Sequence, residues 1–282
     1  MLKLSSTSAL VLLWAKYECY KSKAANCYLK QLDLAEGKNL YNKCNEICPY
    51  YDEVIINRKY GILNLIKESF ATESSPIQLV IAGAGFDALG IEVRELYSNV
   101  KIFEIDIENM KTKSHLVMQQ NNKSKHDIAF IEADISNTFG LYKSLCDHSW
   151  TPKIPTLLVL EGVSYYLSPE SIQKLIQTIK PGFVIFEFLK QDDEISTDRI
   201  HIPNKVFELI SDQCRLSNII KYNYSKIGKI FNNFFVVDNY SMKKLELMRT
   251  GSNSYFETED SGWIEIRLLT DNPYIKNQQM NL

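Results

Sequence analysis

Two patterns of apolar positions divide the chain close to residue 76. Up to about residue 70 the apolar side chains recur at helical spacing, as over residues 57–70, and the apolar run 9–14 follows serines and a threonine that suit a helix N-cap. No strand pattern is evident between residues 5 and 70. We therefore predict an N-terminal helical region, residues 1–75, followed by a second region, residues 76–282.

The second region alternates short apolar runs with helical stretches. Five runs cover residues 78–82, 100–105, 128–131, 156–160 and 183–189. Buried runs of this length, separated by helices, are typical of the parallel strands of a doubly wound α/β sheet. Two later runs, 234–237 and 263–269, flank a polar stretch without a clear helix and predict two antiparallel strands at one edge. The expected fold is a seven-stranded, mostly parallel sheet that forms one structural unit.

Composition narrows the classes of function. The 34 acidic and 32 basic residues give a formal charge of -2, so a basic surface for nucleic acid is not expected. The six cysteines form no CxxC pair and the four histidines are far apart, which predicts reduced thiols and no metal site. The apolar run 9–14 is too short to cross a bilayer and no small-residue cleavage site follows it. We expect a cytoplasmic protein without a membrane partner, and the sequence does not indicate its oligomeric state.

A glycine turn follows the first predicted strand. Gly83 and Gly85 would let the backbone pass close to a ligand at the carboxyl end of the sheet, and a tight turn without a ligand is the structural alternative. Ala88 stands where a dinucleotide fingerprint has its third glycine. This substitution argues against a pyrophosphate ligand, and so against an oxidoreductase that uses NAD or a nucleotide sugar.

Acidic residues end the next three predicted strands. Glu104 and Asp106 point to the same side of their strand, and Asp106 is nearer the ligand end, so either acid can accept hydrogen bonds from ribose hydroxyls. A solvated acid at a strand end is the alternative. Asp134 and Ile135 offer an acceptor and an apolar surface to a purine, and a helix N-cap role for Asp134 is equally compatible. Glu161 ends an apolar strand and is a functional candidate by position.

Four segments resemble the leucine carboxyl methyltransferase family of S-adenosylmethionine-dependent enzymes. In chain order they are 56–60 (INRKY), 80–87 (VIAGAGFD), 103–107 (FEIDI) and 155–167 (PTLLVLEGVSYYL). The resemblance extends over roughly residues 5–190, and its most family-specific part is the last segment. It implies a Rossmann-like methyltransferase fold with S-adenosylmethionine as the cofactor.

The resemblance also implies roles for individual residues. Arg58 would bind the methionyl carboxylate of the cofactor, because its guanidinium suits a bidentate contact, whereas without the resemblance it would be a helix arginine in a surface ion pair. Residues 1–75 would then form a lid over the donor site. The other implied contacts are the backbone of Gly83 and Gly85 to the methionine, Asp106 to the ribose beside Glu104, Asp134 and Ile135 to the adenine, and Glu161 to the amino group.

The chain departs from the family pattern after the glycine turn. Where members carry an arginine, this chain has the segment 88–92 (ALGIE), and Arg94 is offset. A methyltransferase fold that has lost catalysis and serves as a binding module therefore stays open as an alternative.

The acceptor oxygen is expected to be a carboxylate of a small metabolite or a peptide C-terminus. Methyl transfer from a sulfonium depends mainly on positioning and on exclusion of water. A carboxylate, with a pKa near ~4, is already ionised at neutral pH, whereas a phenol near ~10 benefits from a base, and the signature segments contain no histidine. Tyr165 and Tyr166 are candidate pocket residues, although packing under the next helix is equally compatible. A phenol or hydroxyl of a natural product is the alternative acceptor.

Overall fold

The N-terminal region is mainly helical. The computed structural model describes residues 1–15, 19–71, 77–119, 128–214 and 219–274. Within those ranges the first 75 residues form four α-helices: α1 (Ser6–Ala15), α2 (Lys23–Leu29), α3 (Lys38–Ile47) and α4 (Tyr51–Phe70). Two short strands, β1 (Leu2–Lys3) and β2 (Leu32–Asp33), pair in parallel. The expectation of no strand in this region is therefore wrong for β2, because two residues are too few to show a strand periodicity.

The second region contains the main sheet. Its strands are β3 (Gln78–Ala82), β4 (Lys101–Asp106), β5 (Ile128–Glu132), β6 (Thr156–Leu160), β7 (Phe183–Leu189), β8 (Phe235–Ser241) and β9 (Ile264–Thr270). The helices described between them are α5 (Leu89–Leu96), α6 (Met110–Met118), α7 (Thr138–Asp147), α8 (Pro169–Ile179), α9 (His201–Cys214), α10 (Tyr224–Ile230) and α11 (Met242–Thr250).

The strand order is β5-β4-β3-β6-β7-β9-β8, and β9 alone runs opposite to the other six strands. The predicted seven-stranded, mostly parallel sheet is confirmed. Because β4 and β5 lie on one side of β3 while β6 and β7 lie on the other, the order reverses between β3 and β6. A crevice opens at the carboxyl ends of the strands at such a reversal, which makes it the expected ligand site.

The sequence predicts no clear helix in the polar stretch between the last two strands. This expectation is wrong, since α11 lies there. Ser241 caps this helix through a hydrogen bond from the Lys244 amide, and Gly251 ends it with a φ of 79°. Few of its side chains are buried, so its apolar positions give a weak helical signal in the sequence.

The N-terminal helices share a core with the sheet. Both β3 and β6 are buried along their full length, and their alternate residues point to opposite faces. One face packs with α1 and α4, and the other packs with α7 and α8. Helix α4 comes close to β9 at Gly61, where an added Cβ would lie 3.1 Å from Ile266 Cδ1. This approach holds α4 across the crevice. No helix in the described ranges is long and apolar enough to cross a lipid bilayer.

Candidate active site

A cavity of about 190 Å³ lies at the reversal point between β3 and β6. The turn after β3, the end of β6, α4, α1 and α9 all contribute lining residues. The predicted site residues that line it are Arg58, Gly83, Gly85, Glu104, Glu161, Tyr165 and Tyr166. The N-terminal helices and the sheet thus meet at one cavity.

The glycine turn forms a backbone wall of the cavity. Gly83 and Gly85 have φ values of 73° and 48°, a region that residues with a Cβ rarely adopt. The Gly83 amide donates to the Ile105 carbonyl of β4 at 2.8 Å, and an added Cβ at Gly83 would lie 2.7 Å from the Val163 side chain. At Gly85 the space is open, with Asp106 Oδ2 at 3.9 Å as the one atom near the added Cβ. Only glycine fits the first position, and the second leaves room for a ligand.

Four charged side chains, Arg58, Lys59, Asp87 and Glu161, form a buried charge cluster beside this turn. Lys59 Nζ lies 2.7 Å from both Asp87 Oδ2 and Glu161 Oε1, and Arg58 Nε lies 3.1 Å from Glu161 Oε1. The Tyr20 hydroxyl donates to Asp87 Oδ2 at 2.7 Å. Arg58 is only 5% exposed. The alternative of a surface ion pair at Arg58 is therefore wrong.

Arg58, Lys59 and Asp87 favour their charged forms because neighbouring groups of opposite sign offset the effect of burial. Burial pushes the pKa of Lys59 down, but Asp87 and Glu161 more than offset it, so that this pKa lies above its ordinary value. Burial pushes the pKa of Asp87 up, but Lys59 and the Tyr20 hydroxyl together bring it below its ordinary value. The pKa of Arg58 is raised in the same way as that of Lys59. Two basic and two acidic side chains therefore pair with one another within the cluster.

A fifth ionisable group, Glu187 of β7, lies behind the cluster and has no exposed surface. Its Oε2 accepts the Gly162 amide at 2.6 Å, and its Oε1 accepts the Tyr165 hydroxyl. Burial raises the pKa of Glu187 to about 7, although Arg58 favours the charged form. Tyr165 is thus tied down, whereas Tyr166 stays 39% exposed at the cavity. Both tyrosines line the cavity, which is one of the two arrangements that the sequence left open.

Lys59, Tyr20 and Glu187 were not anticipated from the sequence. Glu187 has a signal that could have identified it, since it is the one charged residue in the apolar run of β7. Lys59 has a weaker signal, because a lysine next to an arginine on a helix is most often solvated. Nothing in the local sequence marks Tyr20, which reaches Asp87 across 67 positions of the chain.

The predicted adenosine-binding residues lie at the ends of β4 and β5, next to the glycine turn. Asp106 Oδ2 accepts the Gly85 amide at 2.8 Å and Oδ1 accepts the Ile107 amide at 2.7 Å. Asp134 is exposed, and its Oδ1 accepts the Ser136 amide at 2.8 Å. The hydrogen bonds from the Ser136 hydroxyl and the Ser136 amide lower the pKa of Asp134. Ile135 is buried.

The alternative role of Asp134 as a helix N-cap is wrong. The N-cap of α7 is Asn137, whose side chain accepts the Gly140 amide at 3.2 Å. Asp134 closes a separate turn that precedes the helix.

Glu104 occupies a deeper position than Asp106. It is 1% exposed, and its Oε2 lies 2.5 Å from Lys113 Nζ of α6, which is also buried. A Cβ added at Gly90 would lie 2.3 Å from Glu104 Oε1, so the carboxylate fits only because position 90 is glycine. Glu104 is thus committed to Lys113, and Asp106 is the acid that the strand presents at its end.

The segment that departs from the family pattern has a structural role. Glu92, which is 2% exposed, accepts the backbone amides of Lys21 and Ser22 at 3.0 and 2.9 Å. These bonds hold the loop that brings Tyr20 to Asp87. The segment 88–92 thus supports the cluster through the N-terminal region.

Within the described ranges, no group of three histidine, cysteine, aspartate or glutamate side chains could hold a metal ion. Five cysteines are free thiols, and the side chain of the sixth, Cys214, lies outside the described residues.

Comparisons with known proteins agree with this architecture. The sequence profile described as leucine carboxyl methyltransferase matches residues 30–180, more than half of the chain. No curated protein matches the sequence with significance. A solved DUF574 family protein from Streptomyces avermitilis superposes with a TM-score of 0.67 at 11% identity, covering 84% of this chain and 91% of that one. A candidate methyltransferase from Thermobifida fusca gives 0.64 at 14% identity, covering 83% and 88%.

At such low identities the two solved structures support the fold alone. The profile match is more specific, because it contains α4 with Arg58 and Lys59, the glycine turn, the acids after β4 and β5, and the end of β6. These are the elements on which the resemblance in the sequence rests. The chain belongs to the leucine carboxyl methyltransferase family, whose enzymes use S-adenosylmethionine.

Proposed function

We propose that this protein transfers the methyl group of S-adenosylmethionine to a carboxylate oxygen and so forms a methyl ester. The observation that carries the donor part is the charge cluster beside the glycine turn. The methionyl end of the cofactor is a zwitterion, and the cluster offers a buried cation and a buried anion side by side, 3.1 Å apart at Arg58 and Glu161. Opposite charges in one place match a zwitterion without leaving a net charge buried.

Arg58 is arranged to bind the methionyl carboxylate. Its Nε donates to Glu161, and its two terminal nitrogens hydrogen-bond to no other described residue. Those nitrogens would lie 3.7 and 3.8 Å from a Cβ added at Gly162, so they face the backbone gap at the end of β6. A guanidinium edge with both nitrogens available forms a bidentate pair with a carboxylate. Glu161 would then accept the cofactor amino group.

The rest of the donor would extend along the glycine turn toward β4 and β5. Each carboxylate oxygen of Asp106 accepts one backbone amide and retains a second lone pair for a ribose hydroxyl. Glu104, bound to Lys113, would act behind Asp106 rather than on the ribose. The Ala133 amide donates to the Asp106 backbone carbonyl at 2.8 Å, so Asp134 and Ile135 follow directly after a residue bonded to the proposed ribose site. From there Asp134 would hold the adenine edge and Ile135 its face.

We assign residues 1–75 to a lid over the donor site, with the core in residues 76–282. The lid is supported by α1, which covers the cavity, and by α4, which carries the cationic half of the charge cluster. Since these helices share an apolar core with the sheet, the lid would be a fixed cover and not an independent module.

The chemistry of the cavity favours an acceptor that is already ionised. S-adenosylmethionine supplies an electrophilic methyl group on a sulfonium, and the protein positions the attacking oxygen and excludes water. No histidine lines the cavity within the described ranges, and its buried carboxylates are engaged by cations or backbone amides. A carboxylate needs no proton removed, whereas a phenol does.

A phenol or hydroxyl acceptor is supported by one observation. Tyr165 and Glu187 form a buried hydrogen-bonded pair at the cavity, and the pKa of Glu187 is raised to about 7. Such a pair could accept a proton near neutral pH. Glu187→Gln separates the two functions, because it should leave methyl ester formation within about threefold but abolish transfer to a phenol.

The decisive experiment uses S-adenosylmethionine labelled in its methyl group and a pool of carboxylic acids and phenols. Mild alkali releases labelled methanol from a methyl ester, whereas an aryl methyl ether survives. We expect volatile label. Non-volatile label would reject the carboxylate in favour of a hydroxyl, phenol or amine acceptor. If calorimetry shows cofactor binding but no label reaches any member of the pool, the result would favour the binding module that has lost catalysis.

A further inference from the structure

We infer that the acceptor is a monocarboxylic acid whose remaining body is apolar and uncharged, bound between α1 and α9. This inference rests on the proposed methyl ester formation and adds the substrate class. It follows from the contrast between the charged side chains that line the cavity and the uncharged lining that α1 and α9 contribute.

The part of the cavity wall that α1 and α9 form is apolar apart from Ser8. Helix α1 contributes Val11, Leu12 and Trp14, and α9 contributes Phe207 and Ile210. The two helices pack against each other. When a ligand removes the surface of apolar side chains from water, the complex is stabilised by roughly 25 cal/mol per Å² of buried apolar surface. This wall therefore favours an apolar ligand.

Helix α9 is amphipathic, and its apolar face is the one that meets the cavity. Its Lys205 and Glu208 are exposed, whereas Phe207 is 8% exposed and Val206 is fully buried. Charged side chains are therefore available on this helix but point away from the site. On α1 the polar residue at the cavity is Ser8, whose hydroxyl accepts a hydrogen bond from Ser5 at 3.0 Å.

The charges at the cavity come from α4, β4 and the segments after β3 and β6, and each has a partner of opposite sign. Lys59 pairs with Asp87 and Glu161, and Glu104 pairs with Lys113. A second charge on the acceptor body would meet no partner on the described parts of α1 and α9. Burying an unpaired charge is strongly unfavourable, so the site should reject diacids and amino acids. The reacting carboxylate itself would face the sulfonium cation.

The test compares three six-carbon acids that differ only at the far end: hexanoate, adipate and 6-aminohexanoate. Methyl ester formation and binding to the protein saturated with S-adenosylhomocysteine are both measured, and 3-phenylpropanoate and decanoate extend the uncharged set. We expect at least one uncharged acid to react, and hexanoate to exceed adipate and 6-aminohexanoate in kcat/KM or affinity by roughly 100-fold, as an unpaired buried charge implies. Equal use of the three acids, or binding of none of the uncharged ones, overturns the inference.

Two variants on the same helix make the test independent of the natural acceptor. Ile210→Arg places a cation on the cavity wall at a half-buried position, and Glu208→Arg places the same side chain on the exposed face. We expect Ile210→Arg to shift the ratio of hexanoate to adipate binding toward adipate by at least about tenfold, while Glu208→Arg leaves it unchanged. An unchanged ratio in both variants also overturns the inference.

These outcomes are separable from failure of the proposed function. Loss of S-adenosylhomocysteine binding, or an alkali-stable product, would contradict methyl ester formation. Ester formation with no preference among the acids would contradict only the apolar acceptor.

Discussion

Lys59 is the residue whose removal tests the charge cluster most directly. The residue is 4% exposed, and its ammonium nitrogen lies 2.7 Å from carboxylate oxygens of both Asp87 and Glu161. Lys59→Met keeps most of the apolar stem and removes the charge. Glu161 retains Arg58, whereas Asp87 retains only the Tyr20 hydroxyl among its described partners. Asp87 therefore becomes a buried anion without a cation.

The expected loss is about 3 to 5 kcal/mol of unfolding free energy, the range for breaking a buried ion pair by removing one partner. The loss should depend on pH with a definite sign. Removing Lys59 removes the largest influence that offsets the effect of burial on the pKa of Asp87, so we expect the neutral acid to be favoured in the folded variant. Such a group stabilises the folded protein at low pH and loses that stabilisation as the pH rises. The gap between variant and parent should therefore narrow from pH 7.5 to pH 5.

The assay is chemical denaturation of Lys59→Met, Asp87→Asn and the double variant at both pH values. Asp87→Asn removes the orphaned charge, so the double variant should be at least about 1.5 kcal/mol more stable than the sum of the single losses predicts. Lys205→Met, on the exposed face of α9, is the matched control and should change stability by less than about 0.5 kcal/mol. Additive losses, or a Lys59→Met loss below about 1 kcal/mol, would refute the assignment of Lys59 as the shared cation.

Two further predictions concern Asp106 and Glu187. Asp106→Ala should weaken S-adenosylmethionine binding by on the order of 1.5 to 3 kcal/mol in titration calorimetry, the range for hydrogen bonds to a charged group, and unchanged affinity would remove it from the ribose site. Because the folded pKa of Glu187 is raised to about 7, the parent should lose stability relative to Glu187→Gln as the pH rises from about 4.5 to 7. The change is roughly 3 kcal/mol at about 1.4 kcal/mol per pKa unit, and a flat difference across that window in denaturation would contradict it.

The strands were predictable because each carries a dense apolar signal. The predicted runs 78–82, 156–160 and 183–189 coincide with β3, β6 and β7, which are buried on both faces. β8 was located less well, since it is half-exposed and begins one residue later and ends four residues later than predicted, whereas the buried β9 is shifted by one residue. Burial thus explains which boundaries the sequence indicates.

The site was only partly predictable, because its charged groups depend on partners distant in sequence. Arg58 and Glu161 were predicted through the family resemblance, and they lie together although they are 103 positions apart. Lys59 has the same partner, but a lysine carries no local signal of being buried. The commitment of Glu104 to Lys113 depends on the missing side chain of Gly90, which strand alternation alone does not reveal.

On the proposed function, the charge cluster would make the N-terminal region and the sheet act together in cofactor binding. Its cations lie on α4 and its anions follow β3 and β6, so neither region contains a neutral set by itself. Separating them would leave Asp87 and Glu161 on one side and Arg58 and Lys59 on the other. The zwitterionic methionyl end of a bound cofactor would add one more cation and one more anion to these paired charges. Cofactor binding should therefore stabilise the docking of α4 on the sheet, in proportion to the logarithm of its concentration above the dissociation constant.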